Sequence, residues 1–267
     1  MDKAWRLIES GMCPAPYNMA LDESIATFVR KGAALPTLRL YGWDQQSLSI
    51  GNFQNVSDIN IAYCRAKGIP IVRRPTGGRA ILHDRELTYS FSVRTVSGPF
   101  SKGLLDSYRR ISAAFSLAFG KIGIPVEIKK QREKGSVLGG SPLCFQSSSF
   151  GEILIDNKKA IGSAQKRWDN GLLQQGSIPY AVNEEEMCAL FGIGEGVTLK
   201  DRMTGIREVM PGLDEEKFKN IVVAAFEETF DVSLVPSRPS LDELSLAREL
   251  EELKYLQSRW NLRRESP

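Results

Sequence analysis

The stretch GEILIDNKKAIGSAQKR, residues 151–167, decides the fold class. GEILI (151–155) and KKAIGSAQKR (158–167) are strand-like runs separated only by Asp156-Asn157. Two residues of that type between strands close an antiparallel hairpin. Downstream, LLQQGSI (172–178) reads as a further strand; upstream, PVEIK (125–129) leads into a polar, glycine-rich loop over 130–143. Further strand signals fall at 4–8, 38–43, 47–51, 70–74, 80–82 and 87–93, with a turn between the second and third. Between them the apolar spacing becomes helical. Asn18 is placed as the cap of a helix over 19–31 that Gly32 stops, 58–67 is a short helix closed by Gly68, and 107–122 carries Tyr108, Ile111, Phe115 and Phe119 at helical intervals. From about residue 183 the pattern is mostly helical: 183–191, 214–230 and 241–257. Hairpin-connected strands flanked by helices predict an α+β fold on a mainly antiparallel mixed β-sheet. The prolines within Val235–Ser240 divide a main body, 1–235, from a C-terminal helical extension, 236–267, packed on it.

Composition narrows the function classes. Hydrophobic residues make up 42% of the 267 and charged residues 25%, which is ordinary for a globular chain. A net charge of +3, spread without long basic runs, argues for no nucleic-acid partner. The apolar stretches, such as IVVAAF at 221–226, are too short to span a bilayer, so no membrane is expected. MDKAWRLIESG has no apolar signal core, which predicts a cytoplasmic protein. Cys13, Cys64, Cys144 and Cys188 form no C-x-x-C pair and there is one histidine, so no metal site is predicted and free thiols are the default.

Two segments carry chemistry. In IVRRPTGGRAILHD (71–84), arginines end a strand and Gly77-Gly78 lets backbone approach a ligand closely, with His83 and Asp84 where the next strand begins. Arg74 suits a carboxylate or phosphate, and the glycine amides suit an oxyanion. A plain glycine turn and a structural histidine satisfy the same residues, and G-x-x-x-x-G-K-[ST] is absent. In SPLCFQSSSFGEILIDNKKAIGSAQKR (141–167), Cys144 sits among polar residues, unlike Cys188 in EMCALF. A nucleophilic thiol needs exposure and a cationic neighbour, which Lys158 and Lys159 can supply. Gly162, Ser163 and Ala164 are small enough to leave room for an acyl chain.

RR-x-x-GG-x-x-x-x-HD followed by K-x-x-G-S-A resembles the lipoate and biotin protein ligase superfamily. The likeness runs through AWRLIESG, NMALDE, LRLYGW, SLSIG-x-FQ, RRPTGGRAILHD-x-ELTYS, GSAQ-x-R and KYLQSRWN. Within it the chain most resembles the octanoyltransferases that act on octanoyl-acyl carrier protein. The superfamily's lipoate ligases read GGG and HD-x-GN, whereas here Arg79 replaces the third glycine and Arg85-Glu86-Leu87 follows the HD.

The resemblance implies a mixed sheet with flanking helices and assigns roles. Cys144 and Lys159 match the transferases' cysteine, which forms an acyl thioester, and their hairpin lysine. Arg74, Gly77, Gly78 and His83 match the superfamily's acyl-pocket loop; Arg79, which stands where the ligases have glycine, and the small Gly162, Ser163 and Ala164 complete the expected substrate-binding set. The implied donor is octanoyl-acyl carrier protein, and the implied acceptor is a lysine of a lipoyl-domain protein such as glycine cleavage H protein, with no cofactor. An ATP-dependent lipoate ligase, with ATP and Mg and Cys144 as a bystander, stays open. So do an octanoyl amidotransferase between lipoyl domains and a non-catalytic acyl-binding relative.

Overall fold

The computed structural model describes residues 3–129, 151–193 and 198–265. The first half holds β1 (Ala4–Cys13), α1 (Ala15–Lys31), β2 (Thr37–Trp43), β3 (Ser47–Ile50), α2 (Ile61–Lys67), β4 (Ile71–Arg73), β5 (Ile81–His83), β6 (Glu86–Arg94) and α3 (Leu104–Lys121). The second holds β7 (Glu127–Ile128), β8 (Ile153–Ile155), β9 (Lys158–Trp168), β10 (Gly171–Pro179), α4 (Glu184–Phe191), α5 (Ile206–Val209), α6 (Glu215–Phe230), β11 (Ser233–Pro236), α7 (Leu241–Leu250) and α8 (Ser258–Arg263).

Eight strands form one sheet in the order β11-β1-β2-β6-β10-β9-β8-β7. β1 runs parallel to both its neighbours; the other pairings are antiparallel. The mixed, mainly antiparallel sheet expected from the hairpins is therefore present. β8 and β9 close as predicted: Ile155 pairs with Lys158, and Asp156 and Asn157 take the left-handed φ of 48° and 63° that a two-residue turn requires. β2 and β3 do not pair; β3 joins a second sheet, β4-β3-β5.

One face of the large sheet packs on α3 and α6 through Phe115, Phe119, Phe218 and Phe226. The other carries α1, against which α7 packs, and faces the small sheet. Residues of the C-terminal segment enter this second layer: Tyr255 and Trp260 are buried with Met19, Tyr41, Trp43 and Val72. Among the described residues no helix is long and apolar enough to cross a membrane.

Two details differ from expectation. Helix α1 starts at Ala15, with Pro14 as its extended N-cap residue and Pro16 presetting φ in the first turn, so Asn18 is not its cap. Asn18 lies fully buried inside the helix, donating to the carbonyls of Cys13 (3.1 Å) and Gly42 (3.0 Å) and accepting from Arg39 Nη2 (2.7 Å). The helix expected over 241–257 widens after Leu250, where Leu256 N–H reaches Glu251 O at 2.8 Å, and α8 follows as a separate turn.

Candidate active site

Strand β6 alternates Glu86, Thr88, Ser90 and Ser92 with Leu87, Tyr89, Phe91 and Val93. The apolar set packs on the α3–α6 layer, but the polar set is not on a wet surface. All four are buried, beneath α1 and the small sheet. A buried polar face must satisfy its own hydrogen bonds, and this one does so with residues from both sheets. Glu86 accepts from His83 Nδ1 (2.8 Å), Trp43 Nε1 (3.2 Å), Ser177 Oγ (2.7 Å) and Thr88 Oγ1. Burial pushes the Glu86 carboxyl up, but the His83 charge and the hydrogen bonds of His83, Thr88 and Ser177 outweigh it and hold it below the ordinary value.

His83 is held on every side. Its ring stacks on Trp43 with centroids 3.9 Å apart and planes 14° apart, and Nε2 meets Ser49 Oγ at 2.7 Å. From Ser49 the chain of contacts continues into the glycine loop. Arg74 Nη1 donates to Ser49 O (3.2 Å) and Oγ (3.1 Å), and Nη2 donates to the carbonyls of Gly77 and Arg79, both at 2.7 Å. The Arg74 guanidinium thus braces the loop from within. Thr76 Oγ1 donates to Gln175 Oε1 (2.8 Å), and Gln175 Nε2 donates to Asp22 (2.7 Å), which ties the same loop to α1.

The glycine that permits close approach is one the motif did not single out. A Cβ on Gly51 would lie 1.8 Å from the Gly78 carbonyl oxygen, whereas one on Gly77 would meet nothing within 4 Å. Gly78 itself needs the left-handed region, at φ 84°. Arg73 fixes the Gly51 side of this contact. Its Nη1 donates to the carbonyls of Gly51 (2.8 Å), Asn52 (3.1 Å) and Gln54 (2.8 Å), and its Nε to Trp260 O (3.2 Å). Burial, with Arg264 and Arg74 nearby, pulls the Arg73 pKa down.

Lys159 is placed by an irregularity in β9. Ile153 pairs with Ile161 but Leu154 with Lys159, so Ala160 is an extra residue in the strand. Ala160 and Ile161 consequently both face the α3–α6 layer. On an unbroken strand, residues three apart point to opposite faces; here the bulge returns Lys159 to the face of Gly162 and Ala164. The side chain is buried, with Nζ 2.5 Å from Glu152 Oε1. Its backbone bonds across to the 202–204 segment (N–H to Arg202 O, 2.8 Å; Thr204 N–H to Lys159 O, 3.1 Å).

The structure therefore gathers Arg74, Gly77, Gly78, Arg79 and His83 into one loop-and-strand unit facing Ala164. A cavity of about 20 Å³ lies between the sheets, lined by Trp43, Ser49, Arg74, His83, Ala164 and Ser177 among others. That volume holds about one water, so the cavity takes a larger guest only as flexible lining such as Met19 gives way. Ser163 is not brought to this face. Its hydroxyl meets Tyr89 Oη at 2.9 Å on the α3 side, because it alternates with Gly162 and Ala164. Burial pushes that tyrosine up to about 12. Cys144 and the 130–143 loop lie outside the described residues. Asp22, Ser49, Glu86, Glu152 and Gln175 were not predicted. The polar residues at every second position of β6 are the sequence signal that could have found Glu86.

Residues 14–227 match the family model of the lipoyl protein ligase A/B catalytic domain. The protein named octanoyltransferase LipM from Geobacillus kaustophilus is 33% identical over 275 residues, covering 98% of this chain and 99% of its own. Its namesake from Bacillus subtilis is 32% identical over 275 residues, with the same coverage. Among solved structures, a lipoate-protein ligase A bound with ATP superposes with a TM-score of 0.81 at 22% identity, over 98% of this chain and 99% of that one. A bi-partite lipoate protein ligase from Thermoplasma acidophilum gives 0.81 at 20% identity, over 97% and 96%. At such identities these structures speak for the fold.

Proposed function

Because the chain belongs to the lipoyl protein ligase A/B catalytic-domain family, we propose that it is an octanoyltransferase of lipoate biosynthesis working through Cys144 and Lys159. The observation that carries the reading is likeness along the whole chain to proteins named octanoyltransferase. The donor is octanoyl-acyl carrier protein, and the acceptor is a lysine of a lipoyl domain such as glycine cleavage H protein. The Cys144 thiolate attacks the thioester carbonyl; a carbon–sulfur bond to the enzyme forms, and the carrier thiol leaves with a proton. The acceptor amine then attacks the octanoyl-cysteine, an amide forms, the amine proton is lost and Cys144 is released. Lys159 supplies a cation for the thiolate and N–H donors for the carbonyl oxygen as charge develops on it. Exchange of one thioester for another is nearly balanced in energy, and aminolysis runs downhill. The route therefore calls for no ATP, metal or organic cofactor.

The test is intact mass after mixing with octanoyl-acyl carrier protein without ATP, for the parent and Cys144→Ala. The expected result is one octanoyl adduct on the parent, released by hydroxylamine and missing from the variant. An acceptor domain modified only when ATP and free lipoate are added overturns the reading in favour of a ligase.

A further inference from the structure

Lys159 shares its burial with a carboxylate to which no role is assigned above. Glu152 and Lys159 are both nearly inaccessible, and Nζ stands 2.5 Å from Oε1. We propose that Glu152 is a positioning residue for the transfer, holding the Lys159 ammonium on the pocket face of β9. The proposal rests on the role given to Lys159 above.

Three observations support it. First, the backbone beneath Glu152 is fixed from several sides. Gly151 N–H donates to Lys129 O and Lys129 N–H to Glu152 O, both at 3.0 Å, and Ser112 Oγ donates to Gly151 O at 2.5 Å. Gly151 itself adopts φ 80°, with a would-be Cβ 3.1 Å from Tyr108 Cβ, so this position accepts little else. A carboxylate on such a base is preorganised, as a group that orients a catalytic side chain has to be.

Second, strand pairing does not need the pair. Ile153, Ile155, Ala160 and Ile161 already lock β8 to β9 in the core. Apolar residues in place of a buried ion pair commonly leave stability unchanged or raise it. An ion pair at this point therefore serves something other than strand docking.

Third, the bulge and the carboxylate act on one side chain. The bulge turns Lys159 to the face that Leu154 occupies across the ladder, and Glu152 sits two residues before Leu154 on that face. A lysine is a long, flexible point charge. Pairing with Glu152 limits its reach and holds Nζ at one place on that face of β9.

The test is single-turnover transfer from octanoyl-acyl carrier protein to an acceptor domain, comparing the parent, Glu152→Gln and Glu152→Asp. The rate constant and the amplitude are read separately, alongside thermal unfolding. A merely structural role lowers the amplitude, as folded enzyme is lost, and leaves the rate constant alone. Positioning predicts a rate constant about 100-fold lower for Glu152→Gln, with at least about tenfold of it regained in Glu152→Asp. A folded Glu152→Gln enzyme with the parent's rate constant overturns the proposal. Should that variant unfold, Glu152→Met, an apolar side chain of similar volume, takes its place: a rate constant at least about tenfold below the parent's supports the role, and one nearer the parent's overturns it. The parent run separates the two readings. Transfer without an octanoyl adduct on Cys144 sinks the thioester route while the effect of Glu152 on the rate constant stays readable.

Discussion

Asp22 offers the most direct test of how the site is held. It is fully buried, and its oxygens accept from Arg39 Nη1 (2.8 Å), Tyr41 Oη (2.9 Å), Ser90 Oγ (2.6 Å) and Gln175 Nε2 (2.7 Å). Arg39 is also fully buried and lies over the Tyr41 ring at 3.9 Å. Asp22→Asn keeps the shape, so no cavity opens. It places an amide N–H₂ among donors of which Arg39 Nη1 and Gln175 Nε2 cannot turn to accept, and leaves the Arg39 charge without its counter-ion. Breaking a buried pair from one side costs about 3–5 kcal/mol, and the amide oxygen that survives puts this case near 3. For a chain of this size class each kcal/mol moves the melting temperature by roughly 2–4 °C, which gives a fall of about 6–12 °C. Gln175 loses its acceptor too, and Gln175 anchors Thr76, so octanoyl transfer falls even where the variant remains folded. Circular dichroism on heating, with transfer assayed well below both transitions, reads the two effects. A variant melting within about 2 °C of the parent, a loss of 1 kcal/mol or less, refutes the claim that this carboxylate neutralises Arg39.

Two other outcomes follow from the same geometry. Gly51→Ala cannot be accommodated against the Gly78 carbonyl and displaces the glycine loop, whereas Gly77→Ala has open space. Transfer is expected to fall about 100-fold in the first, as for an ångström-scale misplacement; a Gly51→Ala rate equal to the parent's contradicts the contact. The Glu86 carboxyl lies below its ordinary value of 4.5 in the folded chain, so its stabilisation is complete above that value and is lost as the pH falls through the depressed one. The difference in urea midpoint between the parent and Glu86→Gln therefore shrinks as the pH falls below about 4.5; a gap unchanged at about pH 3.5 contradicts it.

What could be read from the sequence follows from how local each signal is. The β8–β9 hairpin was legible because two residues decide it, and Gly32 and Gly68 ended their helices because the left-handed region favours glycine there. Asn18 misled because a good capping residue stood four positions after a proline that starts a helix earlier. The split of β2 and β3 between two sheets was not legible, since partner choice depends on residues far away in the chain. The burial of the polar row Glu86, Thr88, Ser90 and Ser92 was not legible for the same reason: only tertiary structure lays α1 and the small sheet over it. His83 stood out as the single histidine, yet its partners Ser49 and Glu86 were hidden among ordinary strand residues.

The position of Lys159 shows why spacing alone underdetermines a site. In K-x-x-G-S-A the lysine and glycine are three apart, which on a regular strand separates them onto opposite faces. Read literally, the motif would send Lys159 into the α3–α6 core, where a charge has no partner. One extra residue, Ala160, reverses this and sets Lys159 beside Glu152 on the face of Ala164. The surroundings of the bulge fit that task. Lys159 has left the β10 ladder, which reaches only Gly162, and its backbone is taken up by Arg202 and Thr204 instead. The strand can therefore break register there without exposing N–H or carbonyl groups. The same exchange of partners leaves Gly162 and Ala164 in the ladder, so that part of β9 stays straight while its start turns the lysine to their face. Any change to this strand that preserves the motif but removes the bulge keeps every named residue and separates the lysine from Glu152.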